Sequence, residues 1–158
     1  MFNKSSEFNR YIDEARGFLN ALRFLGAQNS TMWINAFPIV GSLESSIEAY
    51  ILRISDDFEC MSKTTIKGKE LKKKIREEIF DKLIHVDERK IIRELEWQYF
   101  EYFGLASTSV NENNAFSPLS SEETFLLELK SKEYLINVCM VTPVSNHIVV
   151  VTIGELKT

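Results

Sequence analysis

Between Trp33 and Ile54 the apolar residues Trp33, Ala36, Val40, Leu43, Ile47, Tyr50 and Ile54 recur at alternating intervals of three and four. On a helix this spacing sets all seven side chains along one stripe, because 3.5 residues is close to a full turn. Phe37, Ile39 and Ile51 widen the stripe, so a helix here needs neighbours on more than one side. The spacing predicts a central core helix over 33–54, with Asn29-Ser30-Thr31 offering caps and an end near Asp56. Pro38 either kinks this helix about one turn in or marks its first turn. Gly41 would let a neighbouring backbone approach closely.

The flanking segments follow from the same arithmetic. A first helix is expected from about Ser6 to Leu25, with Phe8, Tyr11, Ile12, Ala15, Phe18, Leu19 and Leu22 facing the core. Ser5 or Ser6 caps it, and Gly26 suits the left-handed position past its end. Residues 57–68 read as a connection. A helix over 69–84 turns Leu71, Ile75, Ile79, Phe80 and Leu83 inward, and Asp87 caps another that runs to about Phe103. Trp97 and Tyr102 fall outside that helix's main apolar stripe and are candidates for a second contact surface.

Residues 105–120, rich in Ser, Asn and Thr, read as a surface loop. Over 122–132 the Leu/Glu/Lys content favours a short helix, against an alternation of Phe125, Leu127 and Leu129 that suits a strand. Tyr134 to Thr142 and His147 to Ile153 are two β-branched strands joined by a turn at Pro143-Val144-Ser145-Asn146. Both are apolar on nearly every residue, so both faces of this ribbon must be covered. A two-stranded ribbon is marginal by itself and must pack on the helical body. The expected fold class is α+β in a single domain over 1–158. Four or five helices fill the N-terminal two-thirds (body 6–103), packed with a C-terminal antiparallel hairpin or small sheet within 122–155.

At 158 residues the chain is long enough to bury a core without disulfides or metals. Two cysteines far apart in sequence, Cys60 and Cys139, suit reduced thiols in a cytoplasmic protein. The start of the chain carries no basic-then-apolar leader pattern, and no run approaches the roughly 20 apolar residues of a membrane span. The expectation is therefore a cytoplasmic protein with no membrane partner. A formal net charge of −4 disfavours nonspecific nucleic-acid binding and mildly favours a basic partner.

Reactive constellations are scarce. The chain has two histidines, and His85 with Asp87 and Glu88 lacks the spacing of a metal site. Cys139 sits in an apolar strand, where a thiol ordinarily packs; His147 across the hairpin is read as a simple neighbour. The six glycines are isolated from one another, so no phosphate-cradling loop is spelled out. The expectation is no enzyme, no metal and no cofactor. Seven basic residues from Lys63 to Arg76 are the best nucleic-acid candidates, yet they lack interleaved aromatics and an acidic stretch follows.

Ser42-Leu43-Glu44-Ser45-Ser46-Ile47-Glu48-Ala49-Tyr50 resembles the second helix of the HEPN class of helical ribonucleases and their inactive relatives, over less than half the chain. The resemblance implies a helical nucleic-acid-associated domain, and the basic run would then offer Lys72, Lys73 and Arg76 as its contacts. No Arg stands five positions ahead of His85 or His147, so the hallmark of the active members is missing.

The leading expectation is a non-enzymatic protein-binding module, most specifically a bacterial immunity protein that neutralises a toxin with a basic face. Glu94, Glu96, Glu101 and Glu112 would meet that face by charge complementarity, with Trp97 and Tyr102 as anchors.

Overall fold

The computed structural model describes residues 4–26, 30–54, 59–66, 69–110, 124–132, 134–144 and 146–156. Helix α1 (Lys4–Arg23) leads into strand β1 (Ser30–Pro38), helix α2 (Leu43–Ile54) and strand β2 (Glu59–Ile66). Helix α3 (Lys69–Glu78), a 3-10 turn (Phe80–Lys82) and helix α4 (Arg89–Val110) follow. Strands β3 (Thr124–Lys130), β4 (Tyr134–Val144) and β5 (His147–Leu156) complete the described elements. The strands form one antiparallel sheet in the order β1-β5-β4-β3-β2. The architecture is α+β, with the C-terminal hairpin at the centre of a sheet and β1 and β2 at its edges.

Both sheet faces are covered, which is why β4 and β5 need no polar side. Phe8, Leu19 and Leu22 of α1, Leu71 and Ile75 of α3 and Tyr99 of α4 bury one face against Ile34, Val138, Met140, Val149 and Val151. Helix α2 covers the other, with Ile47 and Tyr50 against Leu127, Leu129, Cys139, Val141, Ile148 and Val150. Full burial of such a side chain contributes about 1.5–3 kcal/mol. The Tyr50 and Thr152 hydroxyls hydrogen bond at 2.8 Å, and the Thr152 hydroxyl donates to Cys139 Sγ at 3.7 Å. Burial pushes the Tyr50 phenol up to about 12 and the Cys139 thiol up to about 12.

The segment expected to be one long helix is two elements. Residues 30–38 are strand β1, and the helix begins only at Leu43. Met32, Ile34 and Ala36 face one layer while Trp33 and Phe37 face the other, so a strand apolar on both sides imitates a helical stripe. Pro38 ends the strand. The Ile39 N–H donates inward to Asn146 O at 2.7 Å, so by ladder alternation Pro38 turns its nitrogen outward, where no donor is needed. Gly41 then adopts a left-handed φ of 73°, whereas Gly26 does not take the left-handed backbone expected of it. Ser42 caps α2: its Oγ accepts the Ser45 N–H at 3.0 Å, and Ser45 Oγ accepts the Ser42 N–H at 3.2 Å. This is a capping box with serine in the usual glutamate position.

Other boundaries also differ. The connection expected over 57–68 contains β2, an exposed edge strand held by pairing with β3. The helix preferred over 122–132 is strand β3: Phe125, Leu127 and Leu129 face α2, while the Thr124 and Thr142 hydroxyls bond at 2.9 Å on the opposite face. Helix α3 stops at Glu78, short of 84, and gives way to the 3-10 turn. Helix α4 continues through 105–110, so the first part of the expected surface loop is helical; the remainder lies outside the described residues.

Candidate functional site

Helix α4 presents the most conspicuous outward surface. At 100° per residue, Lys90, Glu94, Trp97 and Glu101 fall on one stripe, because they recur at three- and four-residue steps. All are exposed, and the Trp97 indole keeps 64% of its surface in solvent. The opposite face holds the helix rigidly: Tyr99 is buried against Phe80 at 6.0 Å between ring centroids. Glu94 and Glu101 form no ion pair among the described residues.

Beside this stripe lies a cleft of about 500 Å³ between α4, the end of α3 and the 3-10 turn. Its charged lining is balanced: Arg76, Arg89 and Arg93 stand with Asp81, Asp87 and Glu96, around Phe80, Leu83 and Ile92. Arg89 and Arg93 are four residues apart, so they share the flank of α4 that faces the cleft. The exposed ridge of Trp97 thus has acids on one side and arginines on the other.

Within the cleft Glu96 is only 6% exposed, and the Arg76 guanidinium grips it. Nε donates at 3.3 Å to Oε1 and 3.2 Å to Oε2, and Nη2 donates to Oε1 at 3.0 Å. The fork matches the planar carboxylate, and the hydrogen bonds it donates to Glu96 raise the Arg76 pKa further above its ordinary range. Two residues expected to serve different partners are therefore paired with each other. Glu96 is withdrawn from any acidic contact surface, and Arg76 is not a free nucleic-acid contact.

The remaining expected site residues scatter. Tyr102 is half-buried, its ring 5.4 Å from that of Phe18, so it ties α4 to α1. Lys73 is exposed beside Glu77 at 3.8 Å, and Lys72 is half-buried. Glu112 lies outside the described residues. The sequence points to Asp87 only as a helix cap and as part of a cluster that lacks metal-site spacing, and it does not single out Asp81, Arg89 or Arg93; the Arg89/Arg93 spacing is a usable signal, but nothing in sequence joins it to residues of the 3-10 turn.

The reactive groups do not converge. In the β4–β5 register Cys139 faces Thr152 while His147 faces Val144. Five strand positions separate them, about 17 Å at the rise of a strand. His147 instead packs on Phe8, ring centroids 4.9 Å apart. Among the described residues no group of three or more His, Cys, Asp or Glu is arranged to hold a metal ion. No described helix is long and apolar enough to cross a membrane. The nine-residue stretch that resembles a HEPN helix is helical from Leu43 onward, but strands precede and follow it, unlike an all-helical layout. No protein-family model matches the chain, and no curated protein matches it.

Proposed function

We propose that this chain is a non-enzymatic protein-binding module that docks its partner on the outward face of α4. The observation that carries the reading is Trp97, a large aromatic left 64% exposed on a helix whose other side is locked into the core. Aromatic anchors of this kind dominate interface energetics when a partner buries them. Glu94 and Glu101 on one flank would oppose cations of the partner, and Arg89 and Arg93 on the other would oppose its anions. The narrower form is an inhibitor that neutralises a toxin, in the manner of a bacterial immunity protein. Among the described acids it draws on Glu94 and Glu101, since Glu96 is already paired.

The test places a photo-crosslinking residue at position 97 in the native host, with position 48 on α2 as the control. The crosslinked partner is identified, and its affinity is measured for Trp97→Ala and for Glu94→Lys/Glu101→Lys. Trp97→Ala should weaken binding by roughly 30-fold, the loss of one anchor worth about 2 kcal/mol. The double charge reversal should reduce affinity more at low salt than at high salt. Equal crosslinking at both positions, or unchanged affinity in both variants, overturns the reading. Labelled RNA is run alongside: a salt-dependent shift lost in Lys72→Gln/Lys73→Gln would move the function to α3 and the nucleic-acid alternative.

A further inference from the structure

The charges of the cleft beside α4 balance in number but are sorted along its length. Arg89, Ile92, Arg93 and Glu96 recur at three- and four-residue steps, so a single stripe of α4 makes one wall. From Arg89 to Glu96 that wall runs about 10 Å at the rise of a helix. Its Glu96 end is fixed, because the buried carboxylate holds the Arg76 guanidinium in the fork described above. Asp81 stands close enough to Arg76 for its charge to add to the rise in the Arg76 pKa. Arg76 with Glu96 and Asp81 therefore leaves this end with one negative charge in excess. At the other end Arg89 and Arg93 stand with Asp87 and leave one positive charge in excess. The floor between is apolar: Phe80 and Leu83 are buried, and Ile92 is half-buried.

Among the described residues the side chains of Asp87, Arg89 and Arg93 form no ion pair and no hydrogen bond. In a concave site with apolar walls such charges act on a ligand more strongly than on an open surface, because the low-dielectric walls focus their field. A ligand carrying both signs gains at both ends. A simple anion or cation gains at one end and is repelled at the other. The volume of about 500 Å³ lies in the range of small-molecule sites.

We propose that this cleft binds a zwitterion with an apolar body, in its simplest form a free amino acid with an aliphatic or aromatic side chain. The carboxylate lies between Arg89 and Arg93, whose Cβ atoms are about 5–6 Å apart at this spacing on a helix. The ammonium faces Asp81, and the side chain covers Phe80, Leu83 and Ile92. The proposal goes beyond the partner-binding reading, since the ligand fills the cleft while Trp97 stays on the ridge outside it. Both use Arg89 and Arg93, so ligand binding is measured with no partner present, and each can fail without the other.

The test is calorimetric titration of the whole chain, with amide NMR to place the site. The probes are leucine and phenylalanine, the amide of each, which lacks the carboxylate, and the deaminated acid of each, which lacks the ammonium. At least one amino acid should bind saturably, with shifts confined to amides within 76–96. Its amide and its deaminated acid should each bind roughly tenfold or more weakly. Arg93→Gln should weaken the amino acid and the deaminated acid but not the amide; Asp81→Asn should weaken the amino acid and the amide but not the deaminated acid. Both residues are exposed, so both variants should fold. Arg53→Gln, on α2 across the sheet, should change nothing. Absence of saturable binding by either amino acid overturns the proposal, as does an affinity that survives loss of the carboxylate or of the ammonium.

Discussion

Replacing Arg76 with Ala should destabilise the protein by about 2 kcal/mol, although Arg76 belongs to a basic run that looks solvated in sequence. The substitution removes contacts of 3.0, 3.2 and 3.3 Å and leaves the Glu96 carboxylate, 6% exposed, without its counter-charge. Breaking a fully buried pair in this way costs about 3–5 kcal/mol. Here the Arg76 side chain is 48% exposed, so water screens part of the attraction and replaces part of what is lost.

For a domain of this size about 2 kcal/mol corresponds to roughly 4–8 °C in Tm. Arg76→Met/Glu96→Leu removes both charges and fills the space with apolar atoms; it should lie within about 1 kcal/mol of wild type. The double-mutant cycle should therefore return a coupling of about 1–2 kcal/mol. Urea unfolding at pH 7, followed by far-UV circular dichroism and tryptophan fluorescence, measures wild type, Arg76→Met, Glu96→Leu and the double variant as the cycle, with Arg76→Ala beside them and a common m-value. If Arg76→Ala lies within about 0.5 kcal/mol of wild type, or the coupling vanishes, the pair is not what holds Glu96.

Two further sets of variants test the fold directly. A thiol reagent should modify exposed Cys60 quickly and buried Cys139 only on unfolding; equal native rates would refute the second layer of the core. The Cys139 thiol is raised to about 12 when folded. Its contribution is therefore complete below the unfolded value of about 8.5 and is lost as pH climbs toward the folded one. Urea midpoints should fall above that pH, and fall less steeply in Cys139→Val. Gly17 and Gly41 should respond with opposite signs. Gly17 lies exposed inside α1 with nothing within 4 Å of a new Cβ, so Gly17→Ala should stabilise by about 0.5–1 kcal/mol. Gly41→Ala forces a side chain onto a φ of 73° and should destabilise by about 1 kcal/mol, with thermal unfolding as the measure for both.

The inner stripe of α1 was legible, because Phe8, Ile12, Ala15, Leu19 and Leu22 satisfy one period and no other, although the helix runs Lys4–Arg23, so Ser5 and Ser6 lie inside it and do not cap it. The inner face of α4 was legible at Ile92, Leu95, Tyr99 and Phe100 for the same reason, although Ile91 stays exposed, and the β4–β5 hairpin was legible from its β-branched runs, although Pro143 and Val144 extend the strand where a turn was expected. Residues 33–38 were not: Trp33, Ala36 and Phe37 fit a helical stripe, and only the neighbours of Met32 and Ile34 reveal a strand buried on both sides. Strand β2 carries almost no burial pattern, since an edge strand is specified mainly by the partner it pairs with. At 124–130 the composition pointed to helix and the alternation to strand, and pairing with β2 and β4 decided between them.

The candidate sites divide along the same line. Exposure of Trp97 could be read from its place off the apolar stripe of its own helix. The Arg76–Glu96 pair joins residues 20 apart on different helices, and the cleft beside α4 gathers residues from α3, α4 and the segment between them. By itself, the sequence determined which segments are amphipathic and where several of them stop. Tertiary structure decided which strands pair, which charges neutralise one another and which remain outside. Periodicity and capping act within a few residues, whereas register, ion pairing and cavities depend on contacts between segments far apart in the chain.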